Sequence, residues 1–461
     1  MRRFRSMIAL PAALDMNAIE RPFLIAMLVL MYVSYAGLGR DIFFNKLNDP
    51  TVYDPIGAHL QKIRFAACIV AATTVIMTSS FSWAMSKVPV AFAPFAVLAV
   101  ASTAWAAEPT KIFTDAVVMA AMWIALPILM HRIGLQETVR VSLHIIAWVL
   151  IFSFLLAILL PSIGRHSGAE AIQAVHAGRW RGIFAHKNGL GPWAAFGSVL
   201  LFTHWRLARA SRGFCLLAGG CAVACLIFAQ SATSLVMAAF LFAMSIFFYA
   251  LKRLPAPLVL LATALSLGAF VTFYLAAGDL IFGLLGRDAS LTGRDQIWPV
   301  AREFFQQAPW LGHGYQSLGG PEFLQYVEML FSQAIPGPES GLLVLLLDLG
   351  IIGFFAFFIP YFYALRNGFE WLGRVNDADR SSIEFMIMVL LATLLQAVTE
   401  TTPMISGGFD GVISFGSLFA LMTLPKSPLG VERSEAGLAK SWIARRDELH
   451  KAQAPRTPPA I

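Results

Sequence analysis

The sequence predicts an all-α, polytopic membrane protein, and three observations carry that reading. Hydrophobic residues make up 58% of the 461 residues and charged ones only 13%, a composition outside the range of water-soluble domains. The apolar residues gather in runs of about 17 to 25, the length that crosses a hydrocarbon core as a helix. Lys and Arg collect between alternate runs, which puts roughly 22 of the 34 on one side. The net charge of +7 then follows from membrane topology and calls for no nucleic-acid partner.

The elements follow in chain order. Residues 1–21 open with the basic MRRFR, but Asp15 interrupts a very short apolar stretch. No cleaved leader is expected, and the segment is read as a cytoplasmic N-terminus. A transmembrane domain is predicted over 22–424. Its spans, about twelve by length, start near Pro22, Phe65, Pro89, Ile112, Val141, Gly189, Phe214, Thr233, Pro257, Gly341, Ile383 and Gly411. The positive-charge bias places both chain ends in the cytoplasm. Two longer segments, 161–188 and 278–340, then fall on the outer side. The second carries Trp298, Phe304, Phe305, Trp310, Tyr315 and Tyr326, too many aromatics for disorder, so it is expected to fold over the outer face as a lid. The polar tail, 425–461, is read as cytoplasmic and without a catalytic role. Cys68, Cys215, Cys221 and Cys225 all lie inside apolar runs and are read as small buried hydrophobes.

Charge is concentrated where it costs most. The stretch RWRGIFAHKN, residues 179–188, places Arg179, Arg181, His186 and Lys187 ahead of the span beginning at Gly189. An Arg at the bilayer centre costs between roughly 3 and 10 kcal/mol, so a cluster at the membrane mouth asks for an anionic partner. The start of a helix offers unpaired N–H groups and a partial positive charge. Asn188 suits the N-cap, and Gly189 and Gly191 permit close approach of a ligand or a neighbouring chain. The combination fits a phosphate; a basic patch touching lipid headgroups is the plainer alternative. A second stretch, SLTGRDQIW at 290–298, sets Thr292 three residues before Asp295, the pattern of a capping box. Arg294 would stand in that helix's first turn, as a second phosphate clamp or in a structural ion pair.

Taken in order, several motifs resemble one family. They are Ser102-Thr-Ala-Trp105 with Glu108 and Pro109, the 179–188 stretch, Thr292-Gly293-Arg294 with Trp298, Trp310-Leu-Gly312-His-Gly314-Tyr315, and GLLVLLLDLGIIG from Gly341 to Gly353. The family is the bacterial O-antigen ligase and O-antigen/exopolysaccharide polymerase superfamily, integral membrane glycosyltransferases of the GT-C type. The resemblance implies glycan transfer from an undecaprenyl-pyrophosphate-linked oligosaccharide to an acceptor hydroxyl, at the periplasmic side of the bacterial inner membrane, without metal, nucleotide or other cofactor. Arg179 and Arg294 would correspond to the family arginines that bind the donor pyrophosphate, with Arg181, His186, Lys187 and Asn188 around them. The wording RGIFAHKN and LTGRDQIW is closest to exopolysaccharide polymerases, so a lipid-linked repeat unit is the expected acceptor, and a chain-length regulator and a flippase are expected companions. Ligation to lipid A-core is the alternative within the family. A transporter of lipid-linked sugars is the rival from another class, though no internal repeat relates the two halves as such proteins require.

One departure from the family is notable. Many members carry a His-Asn pair before the Gly341 run to activate the acceptor, whereas this chain reads Gly337-Pro-Glu339-Ser340. Glu339 is therefore the candidate catalytic base, with His186 and His313 as alternatives. Glu108, Asp348, His313 and Tyr315 are candidate acceptor-binding residues, Asp348 for its depth about two turns inside its span. His166, His176 and His186 recur every ten residues, a spacing unlike zinc sites, and are assigned no metal.

Overall fold

The computed structural model describes residues 18–35, 55–167, 176–184, 186–250, 258, 261–265, 268, 294–331, 340–372, 374–375, 377–399 and 409–424. Regular structure among them is helical, apart from one isolated antiparallel bridge between Arg165 and Trp180. The helices are α1 (Glu20–Tyr35), α2 (Pro55–Thr78), α3 (Phe81–Ser86), α4 (Ala93–Ala101), α5 (Pro109–Ile133), α6 (Leu135–Leu159), α7 (Lys187–Thr203), α8 (Arg212–Ala229), α9 (Ala232–Ala250), α10 (Arg294–Gln307), α11 (Pro321–Phe331), α12 (Gly341–Leu372), α13 (Asp377–Thr399) and α14 (Phe409–Met422). Every span start read from the sequence falls in a helix, or for Pro89 at the cap just before one, except that near Pro257, which lies largely outside the described residues. Six described helices are long and apolar enough to cross a membrane, in α5, α6, α8, α9, α12 and α13, with shorter apolar helices at Val90–Ala104 and Gly411–Met422. The protein is an all-α polytopic membrane protein. The four cysteines are buried free thiols.

Side-chain contacts fix which helix ends share a face. Gln136 donates to Asp379 Oδ1 at 3.0 Å, so α6 and α13 start together. Ser340 Oγ donates to the Ala397 carbonyl at 3.3 Å, which sets the start of α12 beside the end of α13. The ends of α6 and α13 and the starts of α7 and α12 therefore gather on one face, here the loop face. On the opposite face Glu20 takes two hydrogen bonds from the Arg132 guanidinium, at 2.7 and 2.8 Å, and one from Thr78 Oγ1 at 2.7 Å. This buried, fully bonded pair fastens α1, α2 and α5. Glu137 there binds both Arg21, at 3.2 Å, and Arg140.

α7 runs through the centre, packed against α6, α8 and α9. Its glycines allow this: a Cβ at Gly191 would lie 2.1 Å from Ser234 Oγ, and one at Gly197 would lie 2.1 Å from Leu150 Cδ1. Small residues at such crossings replace the hydrophobic drive that lipid abolishes. The close approach expected at Gly191 is thus made by α9. Beneath the loop face, Phe92, Phe95, Phe357, Phe415 and Phe419 form an aromatic core joining α4, α12 and α14.

The segment between α10 and α11 departs from the expected lid. α12 is broken at Gly350, whose φ of 64° and ψ of −165° are not helical. The break strands backbone groups in the apolar interior, where each must find a partner. The 309–314 segment supplies them: His313 N–H donates to Leu347 O at 2.8 Å and Gly314 N–H to Asp348 O at 2.8 Å. In return Ile351 N–H donates to Pro309 O at 2.9 Å and Ile352 N–H to Trp310 O at 3.2 Å. The two chains touch at glycines. A Cβ on Gly312 would sit 2.4 Å from the Asp348 carbonyl carbon, and one on Gly350 would sit 2.3 Å from that of Trp310. Tyr315 then inserts between α4 and α5: its N–H donates to Ser102 Oγ at 3.0 Å and its ring meets Phe95 edge-on at 6.2 Å. This stretch is a clasp in which Gly312, Gly314 and Tyr315 are buried while Trp310 and Leu311 stay exposed. α10 and α11 do cover the face, burying Ile297, Val300, Phe323 and Val327 against Leu347 of α12.

Gly312→Ala is expected to destabilise the protein by roughly 2–4 kcal/mol, because a left-handed φ of 63° and backbone atoms on the far side both oppose a side chain. Gly220→Ala in α8, where a Cβ meets nothing within 4 Å, should be neutral or stabilising by up to about 1 kcal/mol. Thermal melting of the two detergent-purified variants checks the contrast; equal losses would contradict the clasp.

Candidate functional site

The basic stretch at 179–188 is built onto the ends of α6 and α8. After α6 a single turn, Pro161–Gly164, reverses the chain. Residues 164–166 then pair with 178–182: His166 N–H donates to Arg179 O (2.9 Å), Gly178 N–H to His166 O (2.8 Å), and the Arg181 and Gly182 N–H groups to Gly164 O (2.9 and 3.0 Å). Trp180 is the peg of this hairpin. Its N–H donates to Phe228 O at 3.0 Å, its ring stacks on Phe228 with centroids 4.6 Å apart, and Arg165 lies over it at 5.6 Å. Arg181 turns inward, its Nε donating to Ile163 O at 2.8 Å. It is buried and braces the loop, while Arg179, half-buried, stays at the rim. Gly182, at φ 60°, passes so close to α6 that a Cβ would lie 2.4 Å from Ser153 Cβ.

The entry into α7 differs from the sequence expectation. His186, not Asn188, is the N-cap: its backbone is extended and its Nδ1 accepts the Asn188 N–H at 3.2 Å, leaving Asn188 as the second helical residue. The Trp180 anchor fixes where the chain must turn, and this overrides the better capping propensity of Asn.

Three imidazoles come together here, of which the sequence reading singled out only His186 as a candidate ligand and base. The ring centroids of His166, His176 and His186 lie 5.7, 5.1 and 5.1 Å apart. Their ten-residue spacing carries no helical or metal signature, and only the hairpin unites them. No group of His, Cys, Asp or Glu among the described residues has the geometry to hold a metal ion. Each ring accepts at one nitrogen. His166 Nε2 accepts the Lys187 N–H at 3.2 Å, His186 Nδ1 that of Asn188, and His176 Nδ1 the Arg179 Nη1 donor at 3.0 Å, since a guanidinium can only donate. An imidazole accepting a hydrogen bond is neutral, so the cluster is three uncharged rings between two cations, Arg179 and Lys187. Burial, followed by the neighbouring His166, Lys187, His176 and Arg179, holds His186 well below its ordinary range. Cations at the positive end of a helix repel its dipole, and an anion bound among them removes that cost.

The remaining sequence candidates divide. Arg294 opens α10, but its side chain lies outside what the structure describes, as does Glu339 altogether. Asp348 is wholly buried; its Oδ1 accepts from Ser317 Oγ at 3.1 Å and Gly319 N–H at 3.4 Å, and its Oδ2 has no partner among the described residues. Tyr315 is likewise buried in the clasp. In this arrangement both hold the 315–319 turn. His313 is half-buried, and its Nε2 donates to Phe304 O at 3.0 Å, which leaves Nδ1 as its acceptor atom. Glu108 is exposed at the start of α5, paired with Lys111 at 3.3 Å.

Residues 215–358 match the family model described as O-antigen ligase. The exopolysaccharide production protein ExoQ of Rhizobium meliloti (strain 1021) is 32% identical over 168 residues, which is 35% of this chain and 38% of that protein. The alignment therefore spans well under half of that relative's length. The family match runs from α8 into α12 and contains both halves of the clasp, while the 179–188 loop precedes it.

The His186 environment sets a pH dependence. The ordinary pKa is 6.5 and the folded value is lowered, so below about pH 6.5 the unfolded chain binds a proton that the folded chain refuses, and stability falls as pH falls. His186→Asn, which keeps a capping acceptor, should flatten that slope by at most about 1.4 kcal/mol per pH unit. Melting temperatures of both proteins from about pH 8 to pH 5 test this; identical slopes would contradict it.

Proposed function

We propose that this chain, part of which is similar to the O-antigen ligase family model and to an exopolysaccharide production protein, is a polysaccharide polymerase of the periplasmic face of the inner membrane. The donor is a glycan linked to undecaprenyl pyrophosphate and the acceptor a lipid-linked repeat unit. The observation that carries the reading is the Arg179–Lys187 cluster at the start of α7, two cations gathered at the positive end of a largely buried helix. Pyrophosphate is the anion such a site suits, and a polyprenyl chain keeps its donor in the bilayer beside it. The name of the similar exopolysaccharide production protein favours polymerisation over ligation to lipid A-core.

The chemistry follows from charge. An acceptor hydroxyl oxygen attacks the anomeric carbon of the donor sugar, the bond from that carbon to the phosphate oxygen breaks, and the carrier pyrophosphate departs. Negative charge grows on the leaving phosphate, and fixed cations placed there lower the barrier more than they tighten the ground state. Arg179 acts there directly, and Arg294 is assigned the same role. Arg181 positions the loop through Ile163. The hydroxyl proton passes to a carboxylate, for which Glu339 is assigned.

Arg179→Ala and Arg294→Ala should each leave short, unpolymerised repeats and accumulate carrier-linked substrate. Each lost charge-assisted hydrogen bond is worth roughly 1.5–3 kcal/mol, or about a ten- to hundredfold loss of rate. The assay is polymer length made by purified protein in detergent, where no compartment exists and a transporter would yield nothing. Normal long-chain product from both variants would overturn the site, and no product from the wild type would overturn the enzyme. Glu339→Gln should lower turnover by roughly 10²–10⁴ while retaining donor binding, measured by retention of carrier-linked glycan; unchanged turnover removes it as the base.

A further inference from the structure

We infer that the opposite end of α7 is a binding site for an anionic phospholipid, with Arg206, Arg209 and Arg212 around its phosphate. α7 ends at Thr203, and one turn, Trp205–Ala208, redirects the chain into α8. The guanidinium carbons of Arg206 and Arg212 lie 5.5 and 4.5 Å from the centroid of the Trp205 ring, so one indole holds both. Arg209 sits at φ 49°, a left-handed backbone that a side chain opposes. None of the three has a carboxylate in ion-pair distance among the described residues. Glu384, the one acid among the described residues that line the adjoining cavity, is held by Arg380 at 2.7 Å.

That cavity has the composition of a lipid site. Its volume is about 720 Å³, and it joins His204, Arg206 and Arg209 to an apolar wall that includes Phe242, Ile246 and Met388. A second cavity of about 420 Å³ adjoins Trp205 and Arg206, lined by Phe202, Arg212 and Leu216. Phe242 and Ile246 are more than half exposed on α9, a helix long and apolar enough to cross the membrane, so the wall opens toward acyl chains. A ligand that places an anion on the arginines and hydrocarbon along this wall is a phosphodiester with fatty chains. Basic pockets between membrane helices recognise lipid headgroups in this way. A free anion would use the arginines and leave the wall bare. The site is separate from the proposed pyrophosphate site, since the 17 residues of α7 rise about 25 Å between them.

The test uses the delipidated full-length protein in detergent, given equal amounts of phosphatidylglycerol and phosphatidylcholine, with bound lipid read by native mass spectrometry. The expected result is preferential retention of phosphatidylglycerol by the wild type and by Arg179→Ala. The triple variant R206Q/R209Q/R212Q should lose that preference by about tenfold. If the triple variant fails to fold, R209Q alone, exposed and outside the Trp205 stack, should weaken retention about threefold. Equal retention of both lipids by the wild type, undiminished retention by the folded variant, or full displacement of phosphatidylglycerol by excess inorganic phosphate would each overturn the inference.

Discussion

A helix interrupted inside a bilayer is tolerable only when another segment satisfies its freed backbone, and in this protein the 309–314 segment does so at Gly350 of α12. The rest of the loop face depends on that exchange of four backbone hydrogen bonds. It brings Asp348 under the 315–319 turn, seats Tyr315 between α4 and α5, and fixes the stem from which α10 and α11 cover the face. The residues that match the O-antigen ligase family model include both partners of this contact.

The second organising element is α7, which carries cations at both ends for opposite electrostatic reasons. At its C-terminal end Arg206 and Arg209 complement the helix dipole. At its N-terminal end Arg179 and Lys187 oppose the dipole, and their presence makes sense around an anion. The hairpin that delivers them is rigid because Trp180 and Arg181 are buried pegs, each bonded to a backbone carbonyl of the membrane helices or of the turn beside them. Arginines two residues apart thus take different tasks: one braces and the other faces the rim.

Much of the fold was legible in the sequence because lipid imposes a simple rule: long apolar runs become helices, and the predicted starts from Pro22 to Gly411 fell in helices, or at the N-cap for Pro89, wherever the structure describes them. Motifs were legible as strings but not as contacts. Trp310–Tyr315 and Gly341–Gly353 were separately recognisable, yet nothing local says that Gly312 lies against the backbone of Asp348, because that contact is non-local and made by backbone atoms. Asp348 was singled out by its depth; its enclosure by Ser317 and Gly319 follows only from the clasp. The grouping of His166 and His176 with His186 was missed for a related reason. Their ten-residue spacing means nothing along one helix, and the hairpin peg that unites them is a tertiary interaction of Trp180 with Phe228. The same peg moved the N-cap from Asn188 to His186.

The account turns on a diphosphate held by the rim of the loop face, and an experimental structure with a polyprenyl pyrophosphate bound measures that directly. The account predicts phosphate density within about 3 Å of the Arg179 guanidinium, at the positive end of α7, with the prenyl chain descending along the bundle. Phosphate density at the opposite face, or on the loop face but out of reach of Arg179, would contradict it.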